Sequence, residues 1–267
     1  MTTRVPALFI GHGSPMTMIT DNPERRNMMA LGARLPRPTA ILCISAHWET
    51  HGTTHLTGQP HPPTIHDFRG FPAELYEMRY PAPGSAALVD QVTRLVGKDS
   101  VLSDSSWGFD HGAWGVLLPM FPAADIPVVA MSLNRALTSE QHLALGTALA
   151  PLRDEGVLIV GSGNVVHNLA LWRQLAGTRP EWARQFQNRI NTAVENNDVT
   201  ALISFAPNDE AASKAVNSAE HYLPLLYAVG ARLPGDEVAI FNDTIDGALS
   251  MTSMLIGDAS LVDNFVQ

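Results

Sequence analysis

The feature that most constrains the fold is a series of short apolar runs, rich in β-branched residues, that are spread over the whole chain. Three of them lead directly into turns that contain glycine, serine or histidine. The runs cover residues 7–10, 40–44, 126–133, 157–160 and 238–241. Continuous apolar runs of this length are typical of strands that are buried on both faces, as in parallel sheets.

Helical patterns lie between these runs, at residues 24–34, 84–97, 138–153, 180–197 and 208–229. The alternation of strands and helices predicts an α/β fold with a mostly parallel central sheet flanked by helices. Residues 57–84 are rich in proline, glycine and aromatic residues, which predicts a long ordered loop of the kind that often carries function. Because no repeat or linker interrupts the chain, we predict a single domain over residues 1–267.

Charge and hydropathy argue against two kinds of partner. The net charge is −9 and no run of lysine or arginine occurs, which argues against nucleic acid, whose binding depends on neutralised phosphates. No stretch approaches the ~20 apolar residues of a membrane helix, and no signal peptide is visible. The lone Cys43 lies in an apolar run and indicates a buried thiol in a reducing compartment. We therefore predict a cytoplasmic protein.

Three histidines follow predicted strands. His12 comes after the first strand, His47 after the second, and His167 after the fourth by way of a glycine-rich turn. Because ligands of open α/β sheets gather at the carboxyl ends of the strands, we expect these side chains to converge. Imidazole binds zinc, iron, copper and nickel, so the pattern favours a metal site over three unrelated structural histidines.

Two other patterns are weaker. His51 and His55 continue from His47 at a spacing of four, but Gly52 and the threonines around them are poor helix formers, so we predict surface or strand positions. The turn that begins Gly161-Ser162-Gly163 matches a dinucleotide-binding motif only in part, since the third glycine is missing.

A set of short motifs, found in order, carries a resemblance to a known family. The motifs are Gly11-His12-Gly13-Ser14-Pro15, Ser45-Ala46-His47-Trp48, His66-Asp67-Phe68 with Gly70-Phe71-Pro72, Asp110-His111-Gly112-Ala113-Trp114, Ser162-Gly163-Asn164-Val165-Val166-His167-Asn168 and Glu220-His221-Tyr222-Leu223-Pro224. Over nearly the whole chain they resemble the DODA-type (4,5-DOPA) branch of the class III, LigB-like extradiol dioxygenases. The resemblance implies an α/β fold and a mononuclear metal centre.

The resemblance also implies a role for individual residues. His12, His47 and His221 are expected to be the metal ligands, with Glu220 as the alternative to His221 because distant class III members use a carboxylate. His167 is expected to be the catalytic acid and base, and to come close enough to be a fourth ligand in zinc-bound members.

Substrate contacts follow from the same resemblance. His111 is expected to bind or polarise the substrate as a second catalytic histidine. His66 and Asp67 are weaker candidates for substrate binding. Arg69 departs from the family pattern, and it either binds a substrate carboxylate or, as we favour, is a solvated loop charge.

The predicted activity is extradiol cleavage of the ring of a catechol such as DOPA with dioxygen, which makes the chain an oxidoreductase that incorporates both oxygen atoms. The resemblance implies one divalent metal, Fe(II) for activity and Zn(II) in isolated protein. Two alternatives stay open at this point, a zinc-dependent hydrolase and a non-catalytic metal-binding relative.

Overall fold

A central eight-stranded sheet organises the protein. The computed structural model describes residues 4–206 and 208–266. The strands of this sheet are β1 (Ala7–Gly11), β2 (Ala40–Thr50), β3 (Thr54–Thr57), β4 (Val101–Asp104), β5 (Val128–Asn134), β6 (Val157–Gly163), β7 (Asp236–Phe241) and β10 (Ser253–Asp258), and a separate small pair consists of β8 (Ile245–Asp246) and β9 (Leu249–Ser250).

The strand order is β4-β3-β5-β2-β6-β1-β10-β7. The four strands at the centre, β5, β2, β6 and β1, are parallel to one another, and β3 pairs in parallel with β4. The pairs β3/β5, β1/β10 and β10/β7 are antiparallel. The predicted α/β class with a mostly parallel sheet is confirmed. That one domain spans all of residues 1–267 stays a prediction.

Helices cover both faces of the sheet. They are α1 (Pro23–Arg34), α2 (Ala73–Glu77), α3 (Ala86–Val96), α4 (His111–Met120), α5 (Ser139–Leu149), α6 (Leu169–Leu175), α7 (Glu181–Glu195), α8 (Val199–Ile203), α9 (Glu210–Ala215), α10 (Leu223–Gly230) and α11 (Ala259–Val266), with 3-10 segments at Pro15–Met18 and Ala150–Glu155. One core contains residues from α3, α5 and α7–α10, and the other contains residues from α1, α2, α4 and α11.

Alternate residues of the central strands enter different cores, which explains the continuous apolar runs. In β1, Phe9 belongs to the first core and Leu8 to the second, and both are fully buried. A strand that is covered on both faces has no solvent side on which a polar residue would be favoured.

Three sequence expectations need correction. The helix predicted over 208–229 is wrong, because α9 and α10 are separate and the loop between them carries His221. The second strand continues to Thr50, so His47 lies within β2 rather than after it. The prediction missed β3, β4 and β10 of the central sheet, and the apolar stretch of β10 is only Met254 to Ile256. Within the described ranges, no helix is long and apolar enough to span a membrane.

Candidate metal centre

Three histidine side chains converge at the carboxyl ends of the central strands. His12 directly follows β1, His47 lies in β2, and His221 lies in the loop before α10. One ring nitrogen from each of the three lies within 4.8 Å of the others, and the Nε2 atoms of His12 and His47 are 3.0 Å apart. His221 comes from a segment that is distant in sequence, so the site forms only through the tertiary fold.

The irregular pairing of β2 explains how a residue inside a strand enters the site. The register between β2 and β5 shifts between Ile44 and Glu49, on either side of His47. Such irregularities locally redirect a side chain and are frequent beside active sites. Gly112 leaves room for this ring, since a Cβ atom there would lie 2.8 Å from Cδ2 of His47.

The spacing of the nitrogens fits a bound divalent metal. Two nitrogens that are each about 2.1 Å from one ion, at angles of ~90–110°, lie about 3.0–3.4 Å apart. The 3.0 Å separation of the two Nε2 atoms falls in this range. Three imidazole ligands would leave further coordination positions for substrate, as catalytic metal sites require.

The Nδ1 atoms of the three rings have partners on the outer side of the site. His12 Nδ1 contacts Ser162 Oγ at 2.9 Å, His47 Nδ1 lies 3.2 Å from Asp67, and His221 Nδ1 lies 3.1 Å from Glu220. Because a metal-binding nitrogen carries no proton, these contacts favour rings protonated at Nδ1 that offer Nε2 to an ion.

Burial and mutual repulsion keep two of the rings neutral. Burial, and then the neighbouring histidines, hold the pKa of His12 and of His221 well below the usual value. Neutral imidazole is the form that binds metals. Burial also lowers the pKa of His47, but the hydrogen bond with Asp67 and the charges of Asp67 and Asp110 outweigh it and raise the pKa overall.

Known proteins are similar to this chain in sequence and in fold. The family described as "Catalytic LigB subunit of aromatic ring-opening dioxygenase" matches residues 6–245. The chain belongs to the LigB family. The predicted family is therefore confirmed, and so is the prediction that the chain is an extradiol ring-opening dioxygenase. The alternatives of a zinc hydrolase and a non-catalytic relative are not favoured.

Relatives from distant organisms support the assignment. The chain is 44% identical to the 4,5-DOPA dioxygenase extradiol of Escherichia coli strain K12, over 96% of both chains. It is 38% identical to the 4,5-DOPA dioxygenase extradiol of Beta vulgaris, over 90% of this chain and 92% of that protein. The crystal structure of an uncharacterized protein from Escherichia coli K12 has a TM-score of 0.82 and 39% identity, and covers 95% of this chain and 100% of that one. LigB membership implies a metal, which agrees with the histidine group.

His167 lies beside this group but outside it. Its ring stacks on that of His221, with centroids 3.4 Å apart and nearly parallel planes. It groups within 4.8 Å with Glu220 and His221, not with the nitrogens of His12 and His47. Burial lowers the pKa of His167 to about 4. This geometry therefore favours a position of His167 beside the three converging histidines over a role as a fourth ligand.

Asp67 has a different place from the one expected of a substrate-binding residue. Its carboxylate contacts Nδ1 of both His47 and His111, and it accepts a hydrogen bond from the backbone N–H of His111. Burial alone would raise the pKa of this carboxyl, but the hydrogen bonds from His111 and His47 hold it well below its usual range. One carboxylate thus orients two histidines of the site.

His111 owes its position to the start of α4. Asp110 caps this helix by accepting a hydrogen bond from the N–H of Ala113, and it also accepts one from Ser45 Oγ. The ring of His111 lies 4.0 Å from that of His47 between centroids. His111 therefore faces the three converging histidines from the start of α4. The hydrogen bond between Ser45 and Asp110 connects this helix to β2.

The other two predicted substrate contacts lie further out. His66 packs among aromatic rings that include Tyr76 and Trp114, and its Nε2 is 3.0 Å from the carbonyl oxygen of Met78. Arg69 is exposed. The structure does not bring either residue into the histidine group, and a solvated Arg69 is the alternative that its exposure favours.

Sequence reasoning gave no role to Asn164, which joins two of the histidine segments. Its backbone N–H donates to the carbonyl oxygen of His221, and its side-chain amide donates to the carbonyl oxygen of His12. At the preceding Gly163, a Cβ atom would lie only 2.1 Å from the His221 oxygen. The glycine-rich turn thus allows the His221 loop to approach closely. The sequence signal for this role was the asparagine inside the motif that ends at Asn168.

Proposed function

We propose that this LigB protein is a 4,5-DOPA-type extradiol dioxygenase that opens the ring of a catechol such as DOPA with dioxygen. The observation that carries the proposal is the group formed by His12, His47 and His221, whose nitrogens converge while their outer nitrogens are held by other residues. Relatives that carry this name match over most of their length.

We propose that His12, His47 and His221 hold one divalent metal ion, Fe(II) in the active enzyme and Zn(II) in isolated preparations. Such an ion supplies Lewis acidity that lowers the pKa of a catechol hydroxyl, and open positions for substrate. The residues of the chain supply the geometry: Ser162, Asp67 and Glu220 hold each ring by its Nδ1 atom. Rings held in this way need no reorientation when an ion binds.

Proton transfer in this proposal belongs to His167. The ring lies against His221 and is next to the metal group without belonging to it. From there it takes a proton from a catechol hydroxyl and later returns it to an oxygen atom of the product. A positioned imidazole suits both directions of transfer.

In this proposal His111 orients the substrate from its place beside His47. Asp67 holds its Nδ1 atom at 2.8 Å, which leaves Nε2 free to face the substrate. The ring of Phe68 meets His111 edge-on, with centroids 5.7 Å apart. An aromatic wall beside a polar histidine suits a substrate with an apolar ring and two hydroxyl groups.

The test is oxygen uptake after anaerobic loading with Fe(II). With DOPA, we expect oxygen consumption and a yellow product, and little activity after loading with Zn(II). Oxygen-independent turnover of an ester or amide would refute the proposal, and so would tight metal binding with no reaction of any catechol. A panel of catechols with and without a carboxylate then tests whether Arg69 affects substrate choice.

A further inference from the structure

A narrow cavity borders the histidine group on the side of the second core. It lies between the 3-10 segment Pro15–Met18, α1 and α4, and His12 and His111 form part of its wall. The exposed surface of its wall is almost entirely apolar. Its other lining residues include Ser14 and Thr17, whose polar atoms contribute little to the open surface, and Pro15, Met18, Met28 and Gly115.

The helix that forms one wall of this cavity contains a glycine without an evident packing reason. Gly115 is buried in α4, yet a Cβ atom built there would meet nothing within 4 Å. In the same helix, a Cβ atom at Gly112 would lie 2.4 Å from Ser45 Oγ. Glycine is unfavourable inside a helix compared with alanine. Gly115 therefore preserves empty space, whereas Gly112 permits a close contact.

The size of the cavity limits what can occupy it. It has room for about one water-sized molecule. A catechol ring does not fit. The unbranched side chains of Met18 and Met28 adapt easily, so a diatomic molecule needs only small movements of the wall.

The polarity of the cavity separates dioxygen from water. A buried water needs two to four polar partners, and small apolar cavities stay dry while binding apolar gases. Dioxygen is apolar and diatomic, and it is the co-substrate of the proposed reaction.

We propose that this cavity, with Gly115 in its wall, is the route by which dioxygen reaches the histidine group, separate from the path of the catechol. This inference rests on the proposed function. It assigns Gly115 a role in the access of dioxygen and no role in the binding of the catechol.

The first experiment needs no turnover. Crystals of the wild-type protein and of Gly115→Leu are pressurised with xenon, an apolar probe of the cavity. We expect a xenon atom beside His12 and His111 in the wild type and none in the variant. A wild-type cavity that stays empty under both xenon and pressurised dioxygen would overturn the proposal.

The second experiment measures steady-state kinetics of the Fe(II)-loaded enzyme at varied dioxygen and at varied DOPA. In Gly115→Leu we expect the KM for dioxygen to rise by roughly threefold to tenfold, with the KM for DOPA changed by less than about twofold. Gly115→Ala is the graded comparison: its single methyl group takes up part of a space that holds about one water-sized molecule, so the KM for dioxygen should rise by less than it does in Gly115→Leu. Gly115→Val replaces the leucine variant if that does not fold.

The outcomes separate this inference from the proposed function. A wild-type enzyme that consumes dioxygen, with an unchanged KM for dioxygen in the bulky variants, overturns the route and leaves the function intact. Equal increases in both KM values also overturn it, because they indicate a general distortion of the site. A wild type that consumes no dioxygen with any catechol refutes the proposed function, while the xenon result still tests the cavity.

Discussion

Two buried polar clusters lie at opposite ends of the central strands. At the amino end, Arg153 and Asp236 are fully buried and form an ion pair. At the carboxyl end lies the group of His12, His47 and His221. Both clusters hold segments that are distant in sequence, but they differ in how completely their polar atoms are satisfied.

The arginine cluster is complete in itself. Arg153 donates to both oxygens of Asp236 and to the backbone carbonyl oxygens of Val5, Ala231 and Ile256. These five hydrogen bonds use the full donor capacity of a guanidinium group. Such a cluster has no place for a ligand and serves to join the loop before β1 to β7 and β10.

The histidine cluster is complete only on its outer side. Each Nδ1 atom has a partner, while the Nε2 atoms of His12 and His47 face each other at 3.0 Å. Two rings that are held at Nδ1 and turn their Nε2 atoms toward each other place two metal-binding atoms where one ion would contact both. The difference teaches that a buried cluster whose ring nitrogens converge on one point indicates a ligand, whereas a cluster in which every donor has its own acceptor indicates a structural role.

The largest expected effect is the loss of the metal on removal of a ligand. His12→Ala and His47→Ala should each abolish tight binding, while the two large cores keep the protein folded. Metal analysis after dialysis, with circular dichroism as the folding control, measures this. A variant that keeps one equivalent of metal would contradict the ligand assignment, and His221→Ala extends the test to the third position.

Removal of His167 should affect turnover but not metal content, because this ring lies outside the converging group. In His167→Ala we expect the metal and catechol binding to persist, and ring opening to fall by roughly 10²–10⁴-fold, the usual contribution of a positioned acid and base. Metal content and the rate of oxygen uptake are measured on the same sample. Loss of the metal together with activity would make His167 a ligand and pass the acid and base role to His111.

Disruption of the arginine cluster should lower the stability of the protein and leave its metal content unchanged. Arg153→Met leaves the carboxylate of Asp236 buried without its partner, and we expect unfolding to become easier by about 3–5 kcal/mol. Metal content and activity per folded molecule should not change. Urea denaturation measures the effect, and the double variant Arg153→Met/Asp236→Leu should recover part of it. A selective loss of metal in the single variant would show that the two clusters are coupled.

The strand-end argument found two of the converging residues from sequence alone. His12 and His47 follow apolar runs that are easy to recognise, because a strand buried on both faces carries few polar residues. His221 came only from the motif resemblance. Its loop interrupts a stretch that reads as one helix over 208–229, and local periodicity carries no signal of the packing that separates α9 from α10.

The hydrogen-bond partners of the histidines were harder to predict. Asp67 lies in the long loop 57–84, and its contacts with His47 and His111 depend on how that loop folds over the sheet. The strand β10 was missed for a related reason, since its short apolar stretch gains its place by pairing with β1. Both features are set by long-range contacts that a local pattern does not contain.

The smallest expected effects concern the carboxylates on the outer side of the histidine cluster, and they sharpen the distinction between its two sides. Asp67 contacts two histidines and Glu220 contacts one. Loss of such a partner usually weakens metal binding or activity by about 10–100-fold. Asp67→Asn removes the charge that orients both His47 and His111, so we expect it near the upper end of this range. Glu220→Gln keeps a hydrogen-bond acceptor for His221 alone and should fall near the lower end.

Metal affinity by competition with a chelator, and oxygen uptake at saturating metal, are measured for both variants. If Glu220→Gln instead abolishes metal binding as completely as His47→Ala, the carboxylate itself is a ligand and His221 is not.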